Sequence, residues 1–133
     1  MPDEPTPEDL VAAARDARDR AIAPYSGFQV GAAIATDDGT VYGGCNLEVA
    51  NYSNSLHAEV IALARALFEG ERSFEAIAVS GDVAGTTPCG LCRQTLLEYC
   101  DPDLQVYVDC GDGVERYRLG ELLPEAFTGD PLE

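Results

Sequence analysis

Two short motifs in this chain carry side chains that could bind a metal ion and move protons. One is His-x-Glu at 57–59 and the other is Pro-Cys-x-x-Cys at 88–92. Cys89 and Cys92 lie three residues apart at the start of a predicted helix, and at that spacing both thiols can reach one ion. The N-terminus of a helix also favours thiolates, because the helix dipole stabilises negative charge there. His57 is the single histidine of the chain and begins another predicted helix, so two helix N-termini could meet around one ion.

The residue types indicate a catalytic zinc site. Three protein ligands leave the fourth position of a tetrahedral zinc ion open for water, which is the arrangement of catalytic sites. Glu59 lies two residues after His57, and a carboxylate within hydrogen-bonding reach of such a water can take its proton and later deliver it. Glu59 is also an acid in an otherwise apolar helix, where burying a charge is unfavourable without a purpose. We therefore predict Zn²⁺ on His57, Cys89 and Cys92, with Glu59 as the catalytic residue.

A Cys-x-x-Cys motif alone is weak evidence, because dithiol oxidoreductases and structural zinc sites share it. A structural site would need a fourth ligand, for which Cys45, Cys100 and Cys110 are the candidates, and a redox site would leave His57 and Glu59 unexplained. The combination of His-x-Glu with Pro-Cys-x-x-Cys about 30 residues later is the signature of zinc deaminases. Deaminases of nucleic acid or of a guanidino-nucleoside antibiotic would keep the same zinc core and are the nearer alternatives.

The charge and composition of the chain exclude some of the possible substrates and partners. The formal net charge is −16, from 24 acidic and 8 basic residues, and every basic residue is arginine. Such a surface repels phosphate backbones, so we expect no nucleic-acid partner. An acidic chain without lysine is also halophile-like, because it resembles the proteins of cytoplasms that accumulate salt. No apolar run reaches the about 18 residues that span a bilayer, and the acidic start differs from a signal peptide. We therefore expect a cytoplasmic protein without a membrane partner.

The elements that must position the two motifs fit one domain over residues 1–133, with 1–7 as a loose tail. Periodicity and turn signals predict a helix from residue 7 that stops before Pro24, a β-hairpin at 28–45, and a helix at 57–68 that is apolar on nearly all sides and therefore buried. A strand at 76–79, a helix at 90–99, a hairpin at 105–118 and a short helix and tail at 119–127 follow. This order predicts a three-layer α/β/α sandwich with a five-stranded mixed sheet.

The chain resembles cytidine deaminases that act on free nucleosides. Pro-Tyr-Ser-Gly-Phe-Gln-Val-Gly-Ala-Ala at 24–33 is similar to their opening strand, and Gly-Cys-Asn-Leu-Glu at 44–48 is similar to their ribose-binding segment. Leu-Leu-Pro-Glu-Ala-Phe at 122–127 resembles their C-terminal motif. The deaminases of nucleic acid resemble one another in having a helix between their last two strands, where this chain has the hairpin sequence Gly-Asp-Gly at 111–113.

The resemblance implies zinc-dependent hydrolysis of cytidine and 2′-deoxycytidine to uridine and 2′-deoxyuridine plus ammonia, with one Zn²⁺ per subunit. The length is similar to that of the short, homotetrameric branch, which implies a homotetramer with active sites shared between subunits. That branch usually has Cys where His57 stands and Arg where Val60 stands, so the ligand set differs from the usual one of the branch.

The resemblance also implies which residues bind the pyrimidine nucleoside. Phe28 would pack against the pyrimidine, the backbone amide of Ala58 would hold the ring carbonyl, and Phe127 would stack on the base in a neighbouring subunit's site. Aromatic faces suit a flat base.

The ribose contacts follow from the same resemblance. Asn46 and Glu48 would hydrogen-bond the ribose hydroxyls, since such a pair offers both donor and acceptor atoms. Tyr52 is a further substrate-binding residue, in the Val-Ala-Asn-Tyr-Ser stretch at 49–53 that stands where the family has Asn-Ala-Ala-Tyr-Ser.

Overall fold

The computed structural model describes residues 4–51 and 54–128. The elements follow the predicted order: α1 (Pro7–Arg18), β1 (Val30–Thr36), β2 (Val41–Cys45), α2 (Ala58–Phe68), β3 (Phe74–Gly81), α3 (Gly90–Tyr99), β4 (Gln105–Asp109), β5 (Val114–Arg118) and α4 (Leu119–Leu122). The strands form one sheet in the order β2-β1-β3-β4-β5, in which only β3 and β4 pair in parallel. The predicted three-layer α/β/α sandwich with a five-stranded mixed sheet is confirmed.

Both faces of the central strands are buried. Along β1, Ala32 and Ile34 pack into a core with α2 and α3, whereas Ala33 and Ala35 face α1. The α1 side is lined by alanines from β1 and β3, so the helix lies close to the sheet. This arrangement makes one helix the first layer, the sheet the second, and α2 with α3 the third.

Strand directions determine where the helices of the third layer begin. β2 and β3 are each antiparallel to β1, and β4 is parallel to β3, so β2, β3 and β4 all run the same way. α2 follows β2 and α3 follows β3 along the chain, so both helices start at the same edge of the sheet. Gly44 allows the first turn of α2 to touch β2, because a Cβ there would lie 2.4 Å from the Ala58 carbonyl oxygen and 2.5 Å from the Ala62 nitrogen.

The first helix is shorter than predicted. Thr6 caps it with a reciprocal capping box to Asp9, and the helix begins at Pro7, the predicted first residue. The helix ends at Arg18 instead of continuing towards Pro24. The chain turns away because Ile22 pairs with the 46–48 segment, donating to the Asn46 carbonyl at 3.0 Å and accepting from the Glu48 amide at 2.9 Å. Such long-range pairing carries no local sequence signal.

The second helix is only partly buried, against the prediction of burial on all sides. Its inner face packs into the core through Ala62, Leu63 and Ala66, whereas Phe68 on the outer face is 88% exposed. In the part of the chain that the structure describes, no helix combines the length and apolarity needed to cross a membrane.

A buried carboxylate ties α1 to the ends of β3 and β4. Asp109, 5% exposed, accepts two hydrogen bonds from the Arg15 guanidinium, at 2.7 and 2.6 Å. It also accepts from the Ser80 hydroxyl at 2.7 Å and from the Gly111 amide at 2.9 Å. These bonds, the one from Arg15 foremost, hold the pKa of Asp109 well below its usual range.

We predict that Asp109→Asn lowers the free energy of unfolding by about 1 to 3 kcal/mol at pH 7, since the charge-assisted bonds to Arg15 are lost. A carboxyl with a depressed pKa in the folded state stabilises above its unfolded pKa of about 3.9 and loses that contribution as the pH falls further. The difference from wild type in urea unfolding should therefore be full at neutral pH and shrink below about pH 4. Asp103→Asn, which removes an exposed ion pair to Arg118, is the control and should change stability little at any pH. A constant difference between Asp109→Asn and wild type across this pH range would contradict the prediction.

Candidate active site

The two helix N-termini bring the predicted metal ligands together. His57 is the N-cap residue of α2 and Cys89 is the N-cap residue of α3, and neither side chain caps its own helix. The His57 Nδ1 atom lies 3.2 Å from the Cys89 Sγ and 3.3 Å from the Cys92 Sγ, and the two sulfur atoms lie 3.6 Å apart. Residues separated by more than 30 positions in sequence therefore converge as predicted.

The spacing and chemistry of these atoms fit a zinc ion. Tetrahedral zinc with ordinary bond lengths separates two sulfur ligands by about 3.8 Å and a sulfur from a nitrogen by about 3.6 Å. Within residues 4–51 and 54–128, His57, Cys89 and Cys92 form the one cluster of three or more such ligands, and no fourth His, Cys, Asp or Glu joins it. Cys45, Cys100 and Cys110 lie outside the cluster. A closed four-ligand structural site therefore does not form from the described residues, and the three-ligand set leaves a zinc position open.

The surroundings of Cys92 determine when its thiol can ionise. Burial raises the pKa of the Cys92 thiol far above its usual range, and the nearby Glu59 and Cys89 raise it further. The Cys92 side chain is therefore a neutral thiol in the metal-free protein, and a metal ion on the three ligands would favour the thiolate.

Glu59 stands next to the cluster in the first turn of α2. Its side chain belongs to a residue that is only 4% exposed, and burial raises the pKa of its carboxyl above the usual value. A cavity of about 240 Å³ opens in front of it. Glu59, His57, Ala58 and Cys89 line this cavity, so the acid and two of the three proposed metal ligands face any molecule that enters, while Cys92 is buried behind them.

Three of the six residues predicted to bind substrate line the cavity, namely Asn46, Glu48 and Ala58. Tyr52 lies outside the described residues. Phe28 is half-buried next to the start of β1 but does not appear in the cavity wall, and Phe127 is 66% exposed and also lies outside the wall. The cavity of a single chain therefore does not include either aromatic side chain.

The amide of Asn46 already has two backbone partners. Its Oδ1 accepts from the Val30 amide and its Nδ2 donates to the Phe28 carbonyl, both at 2.9 Å. These bonds join the end of β2 to the start of β1 at the rim of the cavity. One N–H and one lone pair of the amide remain for a ligand.

Glu48 likewise holds backbone beside the cavity. Its Oε1 accepts from the amides of Tyr25 and Ser26, each at 3.0 Å, and its Oε2 accepts from the Ser26 hydroxyl. The bonds from Ser26 keep the pKa of Glu48 below its usual value, so the carboxyl is ionised. The same carboxylate that faces the cavity thus fixes the turn that leads to Phe28.

The remaining cavity walls were not predicted from the sequence. Val30, Ser55, Leu56, Thr86 and Thr87 also line the cavity. Thr86 and Thr87 precede Pro88 in the loop between β3 and α3, and only the position of that loop over the cavity gives them a role. No spacing or residue-type pattern in the sequence singles them out.

Comparison with known proteins agrees with this geometry. The family model described as the cytidine and deoxycytidylate deaminase zinc-binding region matches residues 5–108. A cytidine deaminase of Sporosarcina psychrophila is 43% identical over 127 residues, which cover 94% of this chain and 93% of that protein. A cytidine deaminase of Halalkalibacterium halodurans is 43% identical over 125 residues, covering 92% and 95%.

Solved structures lead to the same family. The crystal structure of cytidine deaminase from Burkholderia pseudomallei superposes with a TM-score of 0.88 at 46% identity, covering 92% of this chain and 99% of that chain. The enzyme from Mycobacterium tuberculosis superposes with a TM-score of 0.79 at 38% identity, covering 90% and 94%. With a family model that spans most of the chain and relatives of this identity over nearly its whole length, the chain belongs to the cytidine and deoxycytidylate deaminase family of hydrolytic enzymes.

Proposed function

We propose that this chain hydrolyses cytidine and 2′-deoxycytidine to uridine and 2′-deoxyuridine, with release of ammonia, and that it holds one Zn²⁺ per subunit. The observation that carries this proposal is the cluster of His57, Cys89 and Cys92, two members of which line one cavity together with the buried Glu59. The two relatives of 43% identity are cytidine deaminases, which supports cytidine as the substrate. The base of 2′-deoxycytidine is the same, and its sugar lacks one hydroxyl.

The charge of the cavity favours an unphosphorylated nucleoside over a nucleotide. Among the described residues, no arginine lines the cavity and two glutamates, Glu48 and Glu59, do, while the chain has no lysine. Phosphate is usually bound by arginine, lysine or helix N-termini, and the two helix N-termini here belong to the metal cluster. The net charge of −16 and the β4–β5 hairpin also speak against a nucleic-acid substrate.

The reaction needs a proton carrier, and Glu59 suits that role. A zinc ion on His57, Cys89 and Cys92 would supply Lewis-acid chemistry that makes water a nucleophile at neutral pH. Glu59 accepts a proton from the attacking water and delivers it to ring atom N3 as the new C4–O bond forms. It then carries the second proton of that water to the amine, the C4–N bond breaks, and ammonia leaves. The product keeps the C4 carbonyl and the proton on N3, which is uridine.

The other cavity residues orient the nucleoside for this transfer. Ala58 is the first residue of α2, so its amide has no partner within the helix and is available to donate to the carbonyl at C2 of the ring. The free N–H of Asn46 and the remaining lone pairs of Glu48 would receive the ribose hydroxyls. Phe28 would contact the pyrimidine by a side-chain rotation, and Tyr52 would add a contact near the sugar.

We predict that Glu59→Gln retains the fold and bound zinc but lowers turnover of cytidine by at least about 100-fold, because an amide cannot carry the proton. Absorbance change on conversion of cytidine, 2′-deoxycytidine and cytidine 5′-monophosphate measures the activity, with the monophosphate expected to react poorly. Glu98→Gln, an exposed acid of α3, is the control and should leave turnover unchanged. Near-normal turnover in Glu59→Gln would refute its role, and zinc-loaded wild type without cytidine turnover would refute the substrate.

We predict that purified wild-type protein contains one zinc ion per chain, and that Cys92→Ala and His57→Ala lose it, since two ligands hold zinc weakly. Zinc and protein are quantified in the same gel-filtered sample. Cys100→Ala removes a half-buried thiol outside the cluster and should keep full zinc content. Full occupancy in Cys92→Ala would mean that zinc binds elsewhere.

We further propose a homotetramer with active sites shared between subunits, in a cytoplasm that is reducing enough for free thiols. Phe68 is 88% exposed on the apolar helix α2, and Leu56 is 48% exposed although it lines the cavity. Phe127 is 66% exposed and lies outside the cavity of its own chain. Covering these side chains with neighbouring subunits removes apolar surface from water and brings an aromatic ring to each cavity.

Subunit mixing tests whether Phe127 acts in a neighbour's site. Glu59→Gln and Phe127→Ala chains are each impaired, but mixed oligomers contain sites with an intact Glu59 from one chain and an intact Phe127 from another. We predict that remixing restores activity at low cytidine concentration. No recovery, or a fully active monomer in light scattering, would contradict shared sites. We expect the oligomer to persist to higher dilution in about 1 M KCl, where the Debye length of about 3 Å screens repulsion between acidic surfaces.

A further inference from the structure

Two consecutive residues of α3 hold both ends of the C-terminal segment, defined here as residues 122–127. The Arg93 Nη1 donates to the Leu122 carbonyl at 2.8 Å, and the Gln94 Nε2 donates to the Phe127 carbonyl at 2.8 Å. Arg93 directly follows the ligand Cys92 in the first turn of the helix. The segment is thus attached to the part of α3 that carries the metal ligands.

The other nitrogens of Arg93 hold the loop that leads to Cys89. The Nε donates to the Pro88 carbonyl at 2.6 Å, and the Nη2 donates to the Thr87 hydroxyl at 3.1 Å. Thr87 lines the cavity and Pro88 is buried. Because the guanidinium is a rigid planar fork, its three occupied nitrogens hold the loop and the start of the C-terminal segment in one fixed relation.

Leu122 packs against the core and the Leu123 amide donates to the Leu119 carbonyl at 3.1 Å, but the rest of the C-terminal segment is irregular. α4 ends at Leu122, and the following residues up to Thr128 belong to no helix or strand. Glu125 has a φ of +55°, a left-handed conformation that residues other than glycine adopt only when surrounding contacts require it. Phe127 is 66% exposed, so burial within the same chain does not fix its ring.

We infer that Arg93 and Gln94 are positioning residues that hold the C-terminal segment on the metal-site helix, so that Phe127 is presented at a set place for the base in a neighbouring site. The inference rests on the proposed role of Phe127. Gln94 acts on the Phe127 end alone, whereas Arg93 acts on both the segment and the Cys89 loop. The two residues should therefore affect different properties of the enzyme.

Gln94→Met tests the inference, because methionine has a similar length and cannot donate a hydrogen bond. Hydrogen exchange of the backbone amides at 123–128, measured by mass spectrometry on the zinc-loaded protein, should become faster. The KM for cytidine should rise by about 2- to 10-fold, the effect of one hydrogen bond, with kcat and zinc content unchanged. Gln105→Met is the matched control, since it removes a similar bond, from Nε2 to the Asp103 carbonyl at 3.1 Å, at the opposite end of the sheet. Unchanged exchange at 123–128 in Gln94→Met would overturn the inference.

A double-mutant cycle separates positioning from general loss of stability. If Gln94 acts through Phe127, the combined Gln94→Met and Phe127→Ala variant should have the same KM as Phe127→Ala alone. If the double variant instead raises KM by the product of the two single effects, Gln94 acts by another route and the inference is overturned. Hydrogen exchange requires no substrate, so an enzyme without cytidine turnover would refute the proposed function while the exchange result still decides how the segment is held.

The Arg93→Lys substitution keeps the positive charge but removes the planar guanidinium that holds the loop and the segment together. The amides at 122–128 should exchange faster, and zinc should be lost to a chelator faster than from Gln94→Met, because the Cys89 loop is released as well. If both the hydrogen exchange rates and the rate of zinc loss in Arg93→Lys equal those of wild type, the role of Arg93 is contradicted.

Discussion

The site depends on two helices that begin at one edge of the sheet with N-cap side chains that leave their own helices uncapped. A capping residue normally directs its side chain back to the first turn. His57 and Cys89 instead approach each other to within 3.2 Å, and Cys92 in the first turn of α3 completes the group. The N-terminal ends of both helices therefore contribute side chains to one cluster, which a bound cation would hold together. The running direction of β2 and β3 makes this meeting possible, since each helix follows one of these strands.

A second constraint is the burial of acid groups in a chain that is already strongly acidic. Glu59 is 4% exposed and burial raises the pKa of its carboxyl, which suits the proton-transfer role proposed for it. Asp109, 5% exposed at the end of β4, has a lowered pKa because Arg15 neutralises it. Two carboxyls of similar exposure thus have pKa values shifted in opposite directions. The difference arises because burial dominates at Glu59, whereas Asp109 is paired with a bidentate guanidinium.

The rim of the cavity is formed in part by side chains that also hydrogen-bond the backbone. Asn46 joins β1 to the end of β2, and Glu48 holds the turn at Tyr25 and Ser26. A polar side chain that is already hydrogen-bonded to backbone is restricted in its rotamers, so it meets a ligand with less entropy to lose. Arg93 likewise makes several structural bonds on the other side of the cavity, where one guanidinium joins the Cys89 loop to the residues that lead to Phe127.

Local sequence patterns indicated the candidate metal ligands and most of the elements. His57, Glu59, Cys89 and Cys92 could be assigned because their spacings lie within single helical turns, and α3, β4 and β5 have the predicted bounds because Asp-Pro and Gly-Asp-Gly are local stop and turn signals. Tertiary structure alone decided where α1 ends, since Ile22 leaves the helix to pair with the 46–48 segment. It also decided that Thr86 and Thr87 line the cavity, that Asn46 and Glu48 hold backbone, and that Phe28 and Phe127 lie outside the wall. Periodicity and turn residues reflect the local conformational preferences of a few neighbouring residues. The contacts named here depend instead on strand direction and on packing between distant parts of the chain.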